Sequence, residues 1–442
     1  MDNIDTAFTW AILGLPALAI VLTYLLRSRY NELIALHLAI FWSQLFPYGA
    51  LWLLNQNSVH FPGWMMLMLA SELAIYCGAF LVLARPMRAY IRMVSDAALE
   101  VRARMLLLWL ALSTGCYVYI FARYGALALI ARADVAESAG MPSYLTYLNG
   151  LLAVPAWGVV FCCCIRLAYR RFHPLQLAAL AYVLMHMAVE GGEGKREFLM
   201  VCAVVMLFGR QRPVRVSWRT VAGGVAAACL VLATWSWYEA VRVNFKTVLI
   251  SGRYDSSVEM IEAIVTPAGT KQGSVEMGMQ RNFQQRTPPV WLLEQITERP
   301  NLAAGAFVSQ SIQNAIPSAL GDKRFRTEDE VLKDTLDFPE DDYPFTMLSV
   351  MQAETSVLAV LLTPLIYLGL FWLSWTVIAR WRGRSEMLVL VAIGIAIFEA
   401  GEVQTGLSTL WVYLRTLSIY LAGGFVLWHL LPQKKRYLSG NS

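Results

Sequence analysis

The residues of this chain that could do chemistry are ionisable groups set in or beside apolar stretches, where an unpaired charge is costly and marks an ion or substrate path. The densest set is EGGEGKRE, residues 190–197, in which Glu190, Glu193, Lys195 and Arg196 surround three glycines. Glycine allows close backbone approach, and Lys195 and Arg196 beside the start of the next apolar stretch suit a phosphate or diphosphate. The same residues also read as a solvated turn with a capping cluster. Arg123 and Arg132 are the cations of a neighbouring short loop and suit the same anion, or else snorkel onto lipid headgroups. Arg415 lies eight residues into the last apolar stretch, roughly 12 Å deep at about 1.5 Å per residue. Glu399 and Glu402 stand near the facing end of the stretch before it, so Arg415 is either half of a buried ion pair or part of an anion site. Glu239 and Arg242 mark the exit from another stretch, with Arg281 and Arg286 further on; singly, each reads as a surface or salt-bridge residue. Glu354 is the best-placed single carboxylate, at the entrance to an apolar run. Glu72 and His186 lie within apolar stretches, where a helix-packing hydrogen bond is the expected use.

Other chemistries lack their residues. There is no Gly-Lys-Ser/Thr phosphate loop, no GxSxG and no HExxH, and the histidines are His37, His60, His173, His186 and His429. No Asp-x-Asp pair is present to hold a divalent ion, so a group transfer here is expected to run without metal or cofactor. Cys162, Cys163 and Cys164 do not make a metal site, because consecutive helical residues point about 100° apart. All seven cysteines fall in expected apolar helices, which makes packing or lipid contact their role.

The elements that must position these groups are set by composition. Of 442 residues 57% are hydrophobic and 15% charged, and the mean hydropathy is +0.51, which excludes an ordinary soluble enzyme and predicts an all-α polytopic membrane protein. Apolar runs cover 8–26, 33–54, 61–84, 105–122, 144–165, 221–238, 350–378, 387–403 and 407–431. A shorter pair, 174–189 and 198–208, reaches roughly 24 and 16 Å. It either crosses with a sunken joint at EGGEGKRE or forms a re-entrant hairpin. About 11 transmembrane helices are therefore expected. The first ten residues carry Asp2 and Asp5 and no cation, so the first run is expected to be retained as a span.

Lysine and arginine orient the layout. Twenty of the 36 fall in alternate loops, from Arg27 and Arg29 to Lys434, Lys435 and Arg436, while the intervening short loops hold Arg123, Arg132, Lys195 and Arg196. That bias predicts an external N-terminus and a cytoplasmic C-terminus. It divides the chain into an N-terminal bundle of about 8 helices (1–238), an external loop domain (239–349) and a C-terminal three-helix bundle (350–442). The external segment carries sixteen acidic and eleven basic residues and short amphipathic pieces at 256–264, 290–298, 309–316 and 328–336, so nucleic acid is an unsuitable partner. A loop of this length is more often functional than passive. No internal repeat of the secondary-transporter kind is present.

With these residues in hand, the chain resembles the O-antigen polymerase family, the oligosaccharide repeat-unit polymerases of bacterial inner membranes. The resemblance lies in the many spans, arginines at outer loop edges, GKREFLM (194–200) opening a stretch, QNAIPSALGDKRF (313–325), and Glu354 followed by Gly369. The N-out orientation departs from the usual internal N-terminus. The resemblance implies a GT-C-like membrane architecture and transfer of a growing glycan from undecaprenyl diphosphate to the next lipid-linked unit on the periplasmic face. Glu354, Glu193 or Glu239 would then meet the acceptor hydroxyl. Lys195, Arg196, Arg123, Arg132, Arg242, Arg281 and Arg415 would stabilise the diphosphate leaving group, with no metal. Expected partners are the undecaprenyl-diphosphate-linked oligosaccharide, the lipid bilayer, a chain-length regulator and a flippase. Rival readings are a lipid-linked-oligosaccharide flippase, an O-antigen ligase and a non-catalytic component of polysaccharide assembly.

Overall fold

A computed structural model describes residues 63–83, 90–125, 141–169, 173–190, 305–316, 328–336, 346–401 and 407–430, short helical stretches at 10–11, 14–22 and 36–42, and isolated positions 34, 129, 201, 222, 296, 299 and 303. Among the described residues all regular structure is helical. The elements are α1 (Gly63–Leu83), α2 (Tyr90–Glu100), α3 (Ala103–Tyr124), α4 (Ser143–Ala168), α5 (Leu175–Glu190), α6 (Ala306–Ala315) and α7 (Glu328–Leu336), followed by α8 (Met347–Thr355), a 3₁₀ turn (Ser356–Leu358), α9 (Ala359–Trp381), α10 (Glu386–Gly401) and α11 (Leu407–Leu430).

Three helical stretches are long and apolar enough to cross a membrane: Ala103–Tyr124, Tyr144–Leu167 and Met347–Trp381. Shorter apolar helices lie at Ala70–Val82, Leu175–His186 and Glu386–Phe398. The chain is thus a helical protein with membrane-crossing character. The expected runs at 198–208 and 221–238, and the pieces at 256–264 and 290–298, lie essentially outside the described residues.

α4 and α10 form the centre. Every residue from 154 to 165 and from 388 to 398 is buried, because α4 is packed by α2, α3, α5 and α10, and α10 by α4, α9 and α11. Their antiparallel crossing is closed by two glycines. A Cβ on Gly158 would overlap the Leu390 carbonyl, and one on Gly394 would lie 2.5 Å from the Val154 carbonyl oxygen. Small residues give this backbone proximity, and the dispersion contacts it permits replace the hydrophobic drive that lipid removes. α3 shows the complementary pattern: Leu106, Leu110, Ser113, Tyr117 and Ile120 are buried at helical spacing, while Leu107, Leu108, Leu112 and Val118 are exposed, as befits a helix between bundle and lipid. Cys162, Cys163 and Cys164 are all buried, since α4 has neighbours on every side.

One expected run divides. The stretch at 350–378 is instead α8, the 3₁₀ turn and α9, and α8 starts at Met347 from a capping box in which Thr346 and Ser349 satisfy each other's backbone N–H. Ser356 has φ 51° and ψ −136°, a positive-φ conformation costly for a non-glycine residue, and it breaks the helix there. A continuous helix over 347–381 would be about 52 Å long, well beyond a hydrocarbon core of about 30 Å; α9 alone is about 34 Å. The surplus becomes α8, whose residues Met347 to Glu354 are all buried.

Candidate functional site

Glu354 is the candidate whose surroundings are most completely described. It stands near the C-terminus of α8 and is 7% exposed. Its two carboxylate oxygens accept separate backbone hydrogen bonds, one from Gly305 N–H and one from Val308 N–H at 2.7 Å. Those amides are orphan donors of the first turn of α6. Gly305 is the N-cap, at φ 90°, where a side chain would be strained and where glycine offers no capping oxygen of its own. Glu354 therefore supplies from 46 residues away the cap that α6 lacks locally, and the negative charge suits the positive end of that helix. A backbone bond from Ala303 N–H to Ala353 carbonyl at 3.0 Å runs beside it. α6 also packs along α11 and touches α7, so this carboxylate fastens part of the 239–349 segment to the bundle.

Arg415 is half-buried on α11, with its guanidinium carbon 5.0 Å from the centre of the Tyr147 ring on α4. One turn along each helix, Tyr420 hydroxyl donates to the Leu151 carbonyl at 2.9 Å. The pair of contacts ties α11 to α4 and places a cation against an aromatic face, a favourable arrangement in a poorly hydrated setting. The side chains of Glu399 and Glu402, expected near Arg415, lie outside the described residues. Arg123 is exposed in the last turn of α3, next to the carbonyls that a cation complements. Among the described residues no ion pair joins Glu354, Arg123 and Arg415 to one another. Glu193, Glu239, Lys195, Arg196, Arg132, Arg242, Arg281 and Arg286 also lie outside the described residues.

The opposite end of the bundle holds a cluster that sequence reasoning read only as topological charge. Arg102 pairs with Glu386, and Arg382 donates from Nε to Glu100 at 2.7 Å and lies 3.7 Å from Asp96. The hydrogen bond from Arg382 holds the Glu100 carboxyl below the usual carboxylate range and raises the guanidinium in turn. Arg166, from α4, donates to the carbonyls of Ala98, Leu99 and Val101 at the C-terminus of α2. A cleft of about 370 Å³ opens here, lined by Glu100, Arg102, Arg382, Arg384 and Glu386. Residues from three loops that the charge count assigns to one side thus meet at one end. With Arg382 and Glu100 282 positions apart, no local pattern could have shown the pairing.

Two buried polar clusters lie between. His37 is fully buried, 2.8 Å from Tyr76 hydroxyl and with its ring centre 4.3 Å from that of Tyr367 at a tilt of 55°, and Glu72 lies one turn before Tyr76 on α1. Glu72 is 4% exposed, and its Oε2 has no hydrogen-bond partner. His186 sits among Tyr117, Tyr182 and Trp157, at ring separations of 4.4, 4.4 and 5.6 Å, and Tyr182 shares a hydrogen bond with Ser113 at 2.9 Å. His186 thus joins α3, α4 and α5 through ring contacts; a helix-packing hydrogen bond is the use expected of both His186 and Glu72, and none reaches Glu72 Oε2. Compared with protein-family models, with curated proteins and with solved structures, the chain matches none at a significant level.

Proposed function

We propose that this protein is a membrane glycosyltransferase that polymerises undecaprenyl-diphosphate-linked oligosaccharide units on the periplasmic face of the bacterial inner membrane, without a metal. The observation that carries the reading is the Glu354 joint. A segment long enough to cover a sugar site is fastened to the spanning bundle by a buried carboxylate at the bundle's boundary. A lipid diphosphate presents its reacting carbon at that level, with the carrier chain in the bilayer and the sugars above it. Glu354 spends one lone pair of each oxygen on α6, so its part in transfer is to accept from and orient the acceptor hydroxyl while keeping the cover in place. Undecaprenyl diphosphate is already a good leaving group. Stabilising its developing charge falls to fixed cations, for which Arg415 and Arg123 sit in the same half of the bundle, with Lys195, Arg196, Arg132, Arg242 and Arg281 as the remaining candidates.

The test is purified protein in detergent with a synthetic undecaprenyl-diphosphate oligosaccharide and a chelator, product size being read by gel or mass spectrometry. A ladder is the expected result. Arg196→Ala and Glu354→Gln are expected to lose it, and full activity in both would discard this site. Glu72 favours a second reading, a lipid-linked-oligosaccharide flippase, because a buried intramembrane carboxylate with an unpartnered oxygen is common on transport paths. Absence of a ladder together with flipping in liposomes that Glu72→Gln abolishes would select it.

A further inference from the structure

The chain between Arg299 and Asp322 contains no charged residue, the longest such run in an otherwise highly charged segment. α6 occupies its middle, and the helix has two apolar faces of different fate. Phe307 is buried toward the bundle together with Ser311. Val308, Ile312 and Ile316, spaced four apart, are exposed at 38, 43 and 54%. Such a stripe facing water would be an uncompensated cost.

The placement of α6 says what covers it. α9 is about 34 Å long against a hydrocarbon core of about 30 Å. With Arg382 at one boundary, the 3₁₀ turn at Ser356–Leu358 stands at the other. Val357 and Leu358 in the turn and Leu361 and Leu365 in α9 are exposed at 61, 59, 50 and 50% and form a lipid-facing stripe from that boundary inward. Glu354, two residues before this turn, grips the first turn of α6. The first turn of α6 therefore stands at the level where the lipid-facing surface of α9 ends. Its exposed neighbours Ser309 and Gln313 are uncharged but polar, the mixture an interfacial helix carries.

We propose that α6 is a membrane-surface helix: Val308, Ile312 and Ile316 rest in the acyl-headgroup boundary of the leaflet opposite the Arg166–Arg382 end, and Glu354 holds the helix at that depth. This goes beyond the enzymatic reading and does not depend on it, since a transporter would carry the same helix.

The test uses the full chain in phosphatidylethanolamine–phosphatidylglycerol vesicles. Because seven native cysteines preclude a thiol label, a ketone-bearing amino acid carrying a nitroxide replaces, one at a time, Val308, Ser309, Ile312, Gln313, Ile316 and, as a lipid-facing reference, Leu365. The ratio of oxygen to water-soluble nickel-complex accessibility is then read by electron spin resonance. At 308, 312 and 316 it is expected to be several-fold higher than at 309 and 313 and to approach that at 365. Equal nickel accessibility at all five α6 positions would overturn the proposal, as would protection of the stripe from both relaxants, which would mean that protein covers it. With the 312 label in place, Glu354→Gln is expected to raise nickel accessibility; an unchanged ratio would overturn the part given to Glu354.

Discussion

Each end of the bundle carries a short helix that does not cross it, and the two are fastened by opposite chemistry. α2 is held at its C-terminus by a cation, Arg166, which donates to three orphan carbonyls. α6 is held at its N-terminus by an anion, Glu354, which accepts from two orphan amides. Both arrangements complement the helix dipole and satisfy groups that a helix end leaves open. They differ in redundancy. The α2 end is half exposed and backed by Arg382–Glu100, Arg382–Asp96 and Arg102–Glu386, so several weak pairs share the attachment. Among the described residues, the α6 end is held by one buried side chain, with the Ala303–Ala353 backbone bond beside it. A charge kept in water can be lost at small cost, whereas a buried one that satisfies backbone donors cannot.

The comparison can be broken or sharpened by four substitutions, each followed by thermal unfolding in detergent. Gly158→Val acts on the crossing that both ends share: the new side chain would meet the Leu390 backbone, which no rotamer avoids, and a loss of at least about 3 kcal/mol, or of folded protein altogether, is expected. Glu354→Ala leaves two amides of α6 without acceptors and is expected to cost about 2–3 kcal/mol. Limited proteolysis should show the 303–316 stretch opening first, and a loss below that of Arg166→Ala would break the comparison. Arg166→Ala is expected to cost about 1–2 kcal/mol, since water can reach part of the carbonyl set it leaves behind.

Arg382→Ala is the smallest, under about 1 kcal/mol at low salt and less at high salt. It carries a pH signature. Glu100 has a folded-state pKa below its unfolded one, so the contribution of the pair is fully present above the ordinary carboxylate range and is lost as pH falls through the depressed value. Wild-type protein should therefore lose slightly more stability than Arg382→Ala on acidification, and parallel pH profiles for the two would remove the pair from the account.

What the sequence made legible follows from the range of each signal. Hydropathy is local, so the apolar runs at 61–84, 105–122, 144–165, 174–189, 387–403 and 407–431 mark α1, α3, α4, α5, α10 and α11 to within a few residues. The positive-residue count is also local, and it grouped the loops bearing Arg102, Arg166 and Arg382, which the structure gathers at one end. The elbow at Ser356 was not legible, because 347–381 is apolar almost throughout and the helix breaks at a serine with positive φ while continuing through Pro364. Glu354 stood out as a lone carboxylate entering an apolar run, but its partners are main-chain amides, which have no signature in residue type. The Gly158–Gly394 contact was equally silent, since either glycine alone in an apolar helix is ordinary.

The all-round burial of α8 bears on how the chain is assembled during synthesis. A spanning helix such as α3 can wait in lipid for its neighbours, but α8 exposes no face with which to wait. Its surroundings are made partly by α6, which is synthesised before it, and partly by α9, which follows. The elbow therefore makes α8 a late-settling element, set in place only when segments made at different times have come together around it.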